Sequence, residues 1–338
     1  MSRLAATTLF CTAILLLSVI AGEAYLSLAV REESTTASWP GGLIIDHSCI
    51  DLASIPDEWI DAAQDDVKIH YAHTSHGSQI TTGLQRLEDA DVKYSQAQAA
   101  LSLPAESGAL CLFDGNGADT YITPDEYWEI PAGIATTQAT IDANPAFTVS
   151  LWSWCTQLDY YSQEAAQDYL DAMTGLEDAN LGIIFVYMTC NAQASGADGF
   201  NRFTNNQLIR EYCQDNDKVL FDFADLDAWS NGVHSTYDYV DDTVTYHVPV
   251  EHPDFNGDQA GHTTYTSCEQ KGRAFWWMVA MLAGWMAPTT TTSGSTSTTT
   301  TTSTSTTTEP PDMGFMLISL GGIVALVVIA ILVGRLRK

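Results

Sequence analysis

The sequence predicts a three-layer α/β domain, with a mostly parallel sheet and helices on both of its faces. Predicted strands alternate along the chain with helices of about ten to fifteen residues, the order typical of a parallel sheet. The strand predicted from Leu181 to Met188 is almost continuously apolar, as expected of a strand buried on both faces. The globular part is long enough for one such domain with a sizeable core.

The predicted elements follow one another regularly. Two strands come first, at residues 42–47 and 67–73, and the helix between them has Pro56 in its first turn, a position that proline tolerates. A helix over 77–89 follows the second strand, and residues 90–146 are less regular. The later predicted elements are a strand over 147–154, a helix over 163–177, a strand over 181–188, a helix over 201–215, a strand over 218–223 and a final helix over 269–285.

Both ends of the chain indicate export and membrane attachment. The apolar run from Leu4 to Ile20 follows Arg3 and precedes small residues, which is typical of a signal peptide; an uncleaved signal anchor is the alternative. An uncharged apolar stretch near the C-terminus is long enough to span a bilayer, and the basic residues after it predict a cytoplasmic tail. The predicted segments are a signal peptide (1–24), an extracellular α/β domain (25–288), a Thr/Ser/Pro stalk (289–312), a transmembrane helix (313–334) and a cytoplasmic tail (335–338).

The charge of the chain excludes one class of partner. The formal net charge is −29, with only 13 Lys and Arg residues. Because nucleic-acid binding requires clustered Lys and Arg, we expect no nucleic-acid partner. The membrane, through the C-terminal helix, and an extracellular glycan or ester substrate are the expected partners. No cofactor is expected.

Six cysteines lie outside the predicted signal segment, an even number in a domain that we expect to be exported. Disulfides among them are therefore predicted, although the sequence does not select a pairing. These cysteines are Cys49, Cys111, Cys155, Cys190, Cys213 and Cys268. No CxxC pair occurs, which argues against a thiolate zinc site.

The predicted topology locates the functional site. In an open parallel sheet, ligands bind beyond the carboxyl ends of the strands. This rule selects three segments, 74–78, 155–157 and 189–193, together with the His-bearing loop 251–262 before the last helix.

Ser75 is the first candidate for chemistry, because it lies where a strand turns abruptly into a helix. Its hydroxyl would be exposed, and the backbone N–H groups at the helix start could hold an oxyanion. A catalytic serine also needs a histidine to accept its proton and a carboxylate to orient the imidazole. The late loop offers both, in Asp258 and His262, while Asn191 could donate a further N–H to the oxyanion.

At these residues the chain resembles the SGNH (GDSL-like) hydrolase superfamily, as an exported branch of it. Ser75 stands in place of the serine of Gly-Asp-Ser, Asn191 in place of the asparagine of Gly-x-Asn-Asp, and His262 in place of the catalytic histidine. The resemblance implies a flavodoxin-like sheet and an ester hydrolase. Position 259 is Gln where the family has Asp, so the orienting carboxylate is expected to be Asp258 or to come from elsewhere.

Other interpretations of these loops stay open. A serine before a helix is commonly only a capping residue, Ser78 competes with Ser75 as nucleophile, and Cys190 could act as one beside His76. A calcium site is a weaker alternative, since Asp254, Asn256 and Asp258 have the D-x-N-x-D start of a calcium loop without its later positions. The predicted binding residues are Ser78, His76, Trp154 and Gln157.

Two functions follow from the sequence. The first is a membrane-tethered extracellular serine esterase, which we expect to act on acylated surface polysaccharide. The second is a non-catalytic module of the same fold that binds glycan or calcium-bridged envelope components. The presence of Ser75, Asn191 and His262 favours the first. The missing Gly-Asp before the serine, and Gln259, favour the second.

Overall fold

The structure is a computed structural model that describes residues 42–287. Its main sheet has seven strands, all parallel, in the order β1-β7-β6-β5-β2-β4-β3. The seven strands are β1 (Leu43–Ile45), β2 (Lys68–His73), β3 (Gln96–Ala100), β4 (Leu110–Asp114), β5 (Val149–Ser153), β6 (Ile184–Met188) and β7 (Val219–Phe221).

Helices cover both faces of this sheet, which confirms the predicted α/β class. The α-helices within 42–287 are α1 (Asp57–Asp66), α2 (Ser78–Ala90), α3 (Pro124–Tyr127), α4 (Pro131–Ala143), α5 (Gln163–Ala179), α6 (Gly196–Asp215), α7 (Phe223–Ala228) and α8 (Tyr265–Leu282). Helices α1 and α2 pack against α8, whereas α5 packs against α4 and α6. The chain runs from β2 through α2 towards one edge of the sheet and from β5 through α5 towards the other. Since parallel crossovers are right-handed, these two helices lie on opposite faces.

The structure differs from the predicted elements in two regions. Residues 90–146 contain β3, β4, α3 and α4, where little regular structure was predicted. The sequence of β3 is Gln-Ala-Gln-Ala-Ala, which lacks the β-branched and aromatic residues that usually mark a strand. Two antiparallel pairs follow α7 and were not predicted: β8 (Trp229–Ser230) with β9 (Val233–His234), and β10 (Thr236–Asp241) with β11 (Val244–Pro249).

The predicted membrane topology concerns parts of the chain that the structure does not describe. The predicted signal peptide, stalk, transmembrane helix and tail all lie outside residues 42–287. Within the described range, no helix is both long enough and apolar enough to cross a membrane.

Helices α2 and α8 approach each other closely through two glycines, Gly83 and Gly272. A Cβ atom at Gly83 would lie 1.9 Å from the carbonyl oxygen of Cys268, and one at Gly272 would lie 2.7 Å from the carbonyl carbon of Gly83. The contact is therefore between backbones, and neither helix accommodates a side chain there without moving. This packing fixes the position of α2, which follows the turn that contains Ser75.

We expect Gly83→Ala to destabilise the domain by about 1–3 kcal/mol, because the added methyl group overpacks the contact between α2 and α8. Gly175→Ala is the matched control, since Gly175 is also helical and nothing lies within 4 Å of its Cβ position. That control should gain up to about 1 kcal/mol from its better helix propensity. Urea unfolding of the full chain measures both values, and equal effects at the two sites would contradict the close approach.

Candidate active site

Strands β2 and β5 end side by side at the carboxyl edge of the sheet, where the topology places a crevice. These strands pair directly, with His73 opposite Ser153 at their ends. From there the chain turns towards opposite edges of the sheet, to β3 after β2 and to β6 after β5. This reversal is the topological switch point at which open α/β sheets bind their ligands. The first residues beyond the two strands therefore face a common crevice.

Cys155 and His76 meet in this crevice. The Sγ atom of Cys155 lies 2.9 Å from Nδ1 of His76 and 3.4 Å from Oγ of Ser75. The imidazole of His76 is 3 % exposed, whereas Cys155 is only partly buried. A thiol that faces the crevice is thus hydrogen-bonded to a histidine that is held inside the protein.

The side-chain amide of Gln193 fixes the orientation and tautomer of His76. Its Nε2 donates to Oε1 of Glu251 at 3.0 Å and to the carbonyl oxygen of His262 at 2.7 Å. The carbonyl oxygen of His262 can only accept, so the amide oxygen of Gln193 must be the atom that lies 2.8 Å from Nε2 of His76. Nε2 of His76 therefore carries a proton, which leaves Nδ1 to exchange a proton with Cys155.

Electrostatics favour the charged pair of thiolate and imidazolium. Burial opposes ionisation of Cys155, but the hydrogen bond and charge of His76, with the hydrogen bond of Ser75, outweigh it and lower the pKa of the thiol to about 6. Burial also opposes a charged His76, yet its hydrogen bonds to Cys155 and Gln193 and the nearby thiolate raise its pKa. Both shifts favour the pair in which Cys155 is a thiolate and His76 an imidazolium.

The remaining cysteines lack such an environment. Burial raises the pKa of Cys49, Cys190 and Cys213, and it raises the pKa of Cys268 to about 11. All six cysteines of the described range are free thiols, in contrast to the predicted disulfides. Three of the cysteines lie in separate elements of the fold: Cys111 in β4, Cys213 in α6 and Cys268 in α8.

The turn between β2 and α2 presents backbone donors beside the thiol. The N–H groups of Ser78 and Gln79 already bond to the carbonyl oxygens of Ser75 and His76 as the helix begins. Within residues 42–287, no acceptor is bonded to the N–H groups of Ser75, His76 and Gly77. Free N–H groups at a helix start favour a nearby negative charge.

The two predicted serines have different surroundings. The hydroxyl of Ser75 lies beside Sγ of Cys155, and within the described range its hydrogen-bond partners include no imidazole. Ser78 is the first residue of α2, and its hydroxyl donates to the carbonyl oxygen of Ser75 at 2.6 Å. Ser78 therefore stabilises the turn, while Ser75 borders the thiol.

Of three further predicted residues, two hold the loop that bears Cys155 and the third lies in the core. Asn191 is buried, and its side-chain Nδ2 donates to the carbonyl oxygen of Cys155. The side-chain oxygen of Gln157 accepts from the backbone N–H of Cys155 at 2.8 Å. Trp154 is 1 % exposed and packs edge-on against other aromatic rings, which places it in the core rather than on a ligand-facing wall.

His262 lies at the mouth of the crevice. Its ring centroid is 4.9 Å from that of His76, and its side chain is 54 % exposed. The nearest carboxylate oxygen, on Asp258, is 3.8 Å from Nδ1 of His262 and belongs to a side chain that is 88 % exposed. Of the calcium candidates, Asp254 accepts a hydrogen bond from Ser230 at 2.8 Å, while Asn256 is exposed.

The structure thus brings Ser75, His76, Asn191 and His262 to one edge of the sheet, and the nucleophile that pairs with a base there is Cys155, with His76. Sequence reasoning selected the segment that contains Cys155 but gave its thiol no catalytic role. The roles of Gln193 and Glu251 were missed. No model of a known protein family matches the chain, and no curated protein matches it either.

Proposed function

We propose that the chain is a cysteine-dependent acyl hydrolase, an esterase in which Cys155 takes the role that the sequence assigned to Ser75. The observation that carries this proposal is the 2.9 Å contact between Sγ of Cys155 and Nδ1 of His76. A nucleophile, a base within hydrogen-bond reach and a third group that orients the base are the parts that covalent acyl transfer requires. Gln193 is that third group.

In the proposed reaction the Cys155 thiolate attacks the carbonyl carbon of an ester, forming a carbon–sulfur bond and an oxyanion. As the oxyanion collapses, the carbon–oxygen bond to the leaving group breaks, and the departing alkoxide takes the proton from Nδ1 of His76. Water then attacks the thioester, His76 accepts a proton from that water, and the thiolate leaves with the carboxylic acid as product. His76 serves first as general acid and then as general base.

Oxyanion stabilisation in this proposal comes from the backbone N–H groups of Ser75, His76 and Gly77. They stand at the start of a 13-residue helix beside the thiol, and they are bonded to no acceptor within the described range. Asn191 was the expected side-chain donor, but its amide holds the carbonyl oxygen of Cys155. We assign Asn191 to positioning of the nucleophile-bearing loop.

The biological setting is also a proposal. The sequence features at both ends support a domain held outside the cell by a C-terminal membrane helix, where acyl groups on surface polysaccharide are accessible substrates. A relationship to the SGNH superfamily is part of the same proposal, and the parallel sheet is compatible with it. In this proposal the nucleophile is Cys155, in the loop after β5, rather than Ser75, in the turn after β2.

The pH dependence of thiol alkylation tests this assignment. Since the thiolate is the reactive form, the rate of Cys155 alkylation by iodoacetamide should rise with pH, reach half its maximum near pH 6 and level off above about pH 7. In His76→Asn the lowering influence on the thiol is lost, so the rise should move above about pH 8. Ser75→Ala is the control and should keep most of the wild-type profile. Identical profiles for wild type and His76→Asn would overturn the proposed pair.

A further inference from the structure

Cys155 has a second cysteine, Cys190, beside it. Sγ of Cys190 lies 2.9 Å from the carbonyl oxygen of Cys155. The amide of Asn191 joins the two residues, because its Nδ2 donates to the same carbonyl oxygen and lies 3.6 Å from Sγ of Cys190. The loop after β5 and the loop after β6 therefore meet at these two cysteines.

The register of the sheet brings the two cysteines opposite each other. Strands β5 and β6 pair with a constant offset of 35 positions, so that Leu151 lies opposite Val186. The same offset, continued beyond the ends of both strands, places Cys155 opposite Cys190. Neighbouring strands are about 4.8 Å apart, which is within the roughly 4.4–6.8 Å between Cα atoms that a disulfide tolerates. The register therefore predicts a spacing that a disulfide can bridge.

The two thiols differ in their reactivity. Burial opposes ionisation of Cys155, but the hydrogen bond and charge of His76 outweigh it and lower the pKa of this partly exposed thiol to about 6. Cys190 is fully buried, and burial raises the pKa of its thiol. Because the thiolate is the form that reacts with a peroxide, an oxidant should modify Cys155 first and leave Cys190 as a thiol.

We propose that Cys155 is a site of reversible oxidation, at which hydrogen peroxide converts the thiolate to a sulfenic acid and Cys190 then converts the sulfenic acid to a disulfide. The juxtaposition of a reactive thiol and a protected one in two adjoining loops is what this sequence of steps requires. The oxidation does not depend on ester hydrolysis.

Both steps balance without a further reagent. In the first, the Cys155 sulfur attacks one peroxide oxygen, a sulfur–oxygen bond forms, the oxygen–oxygen bond breaks, and the hydroxide that leaves takes the proton of the His76 imidazolium. In the second, Sγ of Cys190 attacks the sulfur of the sulfenic acid. The sulfur–sulfur bond forms as the sulfur–oxygen bond breaks, and the hydroxyl group leaves as water with the proton of the Cys190 thiol. Two thiols are thus oxidised to a disulfide, and the peroxide is reduced to water.

Peptide mapping of the full chain tests the proposal. The reduced chain is treated with a small excess of hydrogen peroxide near pH 7, and the remaining thiols are then labelled with iodoacetamide. Mass spectrometry without reduction should find Cys155 linked to Cys190. Labelling of Cys155 should fall at least tenfold, and dithiothreitol before the labelling step should restore it. A Cys155 that ends as a sulfinic acid, pairs with another cysteine or keeps its label would overturn the proposal.

A variant without the second thiol isolates the role of Cys190. In Cys190→Ser, Cys155 should accumulate as a sulfenic acid, so dimedone should label it at least tenfold more than in the wild type. Cys213→Ser is the matched control and should behave as the wild type, because Cys213 is also a buried free thiol whose pKa burial raises. Equal dimedone labelling of Cys155 in the two variants would refute the assignment of Cys190.

Oxidation should also stop ester turnover, and this expectation alone rests on the proposed function. Treatment with peroxide should lower the hydrolysis of p-nitrophenyl acetate at least tenfold, in step with the loss of the Cys155 thiol, and dithiothreitol should restore it. Full turnover by the disulfide-linked chain would leave the oxidation site standing and refute Cys155 as the nucleophile instead.

Discussion

Replacing Cys155 by Ala should lower ester turnover by at least ~10³-fold, because the variant retains the crevice and the backbone N–H groups but has no nucleophile. Hydrolysis of p-nitrophenyl acetate by the full chain measures the effect. Cys155→Ser should be impaired to a similar degree, since a hydroxyl is not ionised by a neighbouring histidine as a thiol of pKa about 6 is.

Ser75→Ala is the decisive comparison for this prediction. The Ser75 hydroxyl contributes one hydrogen bond to Sγ of Cys155 at 3.4 Å, so its loss should slow turnover by roughly tenfold or less, the equivalent of about 1 kcal/mol. If Ser75→Ala abolishes turnover and Cys155→Ala retains it, the serine hydrolase expected from the sequence is correct. If both variants retain wild-type turnover, neither Ser75 nor Cys155 is the nucleophile.

Breaking the buried ion pair between Lys271 and Asp227 should give the largest change in stability. Nζ of Lys271 lies 2.6 Å from Oδ1 of Asp227, and their side chains are 0 % and 1 % exposed. Lys271→Met leaves the buried carboxylate without its cation, which should cost about 3–5 kcal/mol in the free energy of unfolding. Most of that loss should return in Lys271→Met/Asp227→Asn, because the uncompensated charge is then gone.

The exposed pair of Lys93 with Asp57 provides the matched control. Lys93→Met removes the same charge at a site where the Asp57 side chain is 82 % exposed, so the cost should stay below about 1 kcal/mol. Urea unfolding compares the three variants with the wild type. Equal destabilisation by Lys271→Met and Lys93→Met would contradict the assigned role of the buried pair.

This ion pair also supports the candidate active site. Oδ2 of Asp227 accepts from the backbone N–H of Ala192 at 2.8 Å, and the carbonyl oxygen of Ala192 accepts from the N–H of Glu251 at 2.7 Å. Gln193 follows Ala192 directly. The network below the crevice therefore fixes Gln193, which holds His76, and Glu251, which holds Gln193. Lys271→Met should for this reason also reduce turnover in the fraction that stays folded.

Much of the fold was predictable because its signals are local. The apolar run that forms β6 and the alternation of strands with helices sufficed to predict a parallel sheet with helices on both faces. Strand β3 was missed because its Gln and Ala residues have low β-propensity, and its pairing with β4 is what makes it a strand. The β-propensity of these residues gives no information about the partner strand, β4.

The candidate site was predictable in place but not in chemistry. The rule that ligands bind at strand ends selected the loops that contain His76, Cys155 and Gln193. Their roles depend on contacts between residues 79 and 117 positions apart in sequence, which set the proton position on His76 and the pKa of Cys155. The number of cysteines says nothing about these contacts. The predicted disulfides and a free reactive thiol were therefore equally compatible with the sequence.

The site of covalent modification tests the central claim most directly. The full chain, mixed briefly with p-nitrophenyl acetate near pH 6 and quenched with acid, should gain one acetyl group, and peptide mapping by mass spectrometry locates it. We predict acetylation of Cys155 as a thioester that hydroxylamine removes, and its absence in His76→Asn under the same conditions. An acetyl group on Ser75, or none on Cys155 while the ester is turned over, would contradict the account.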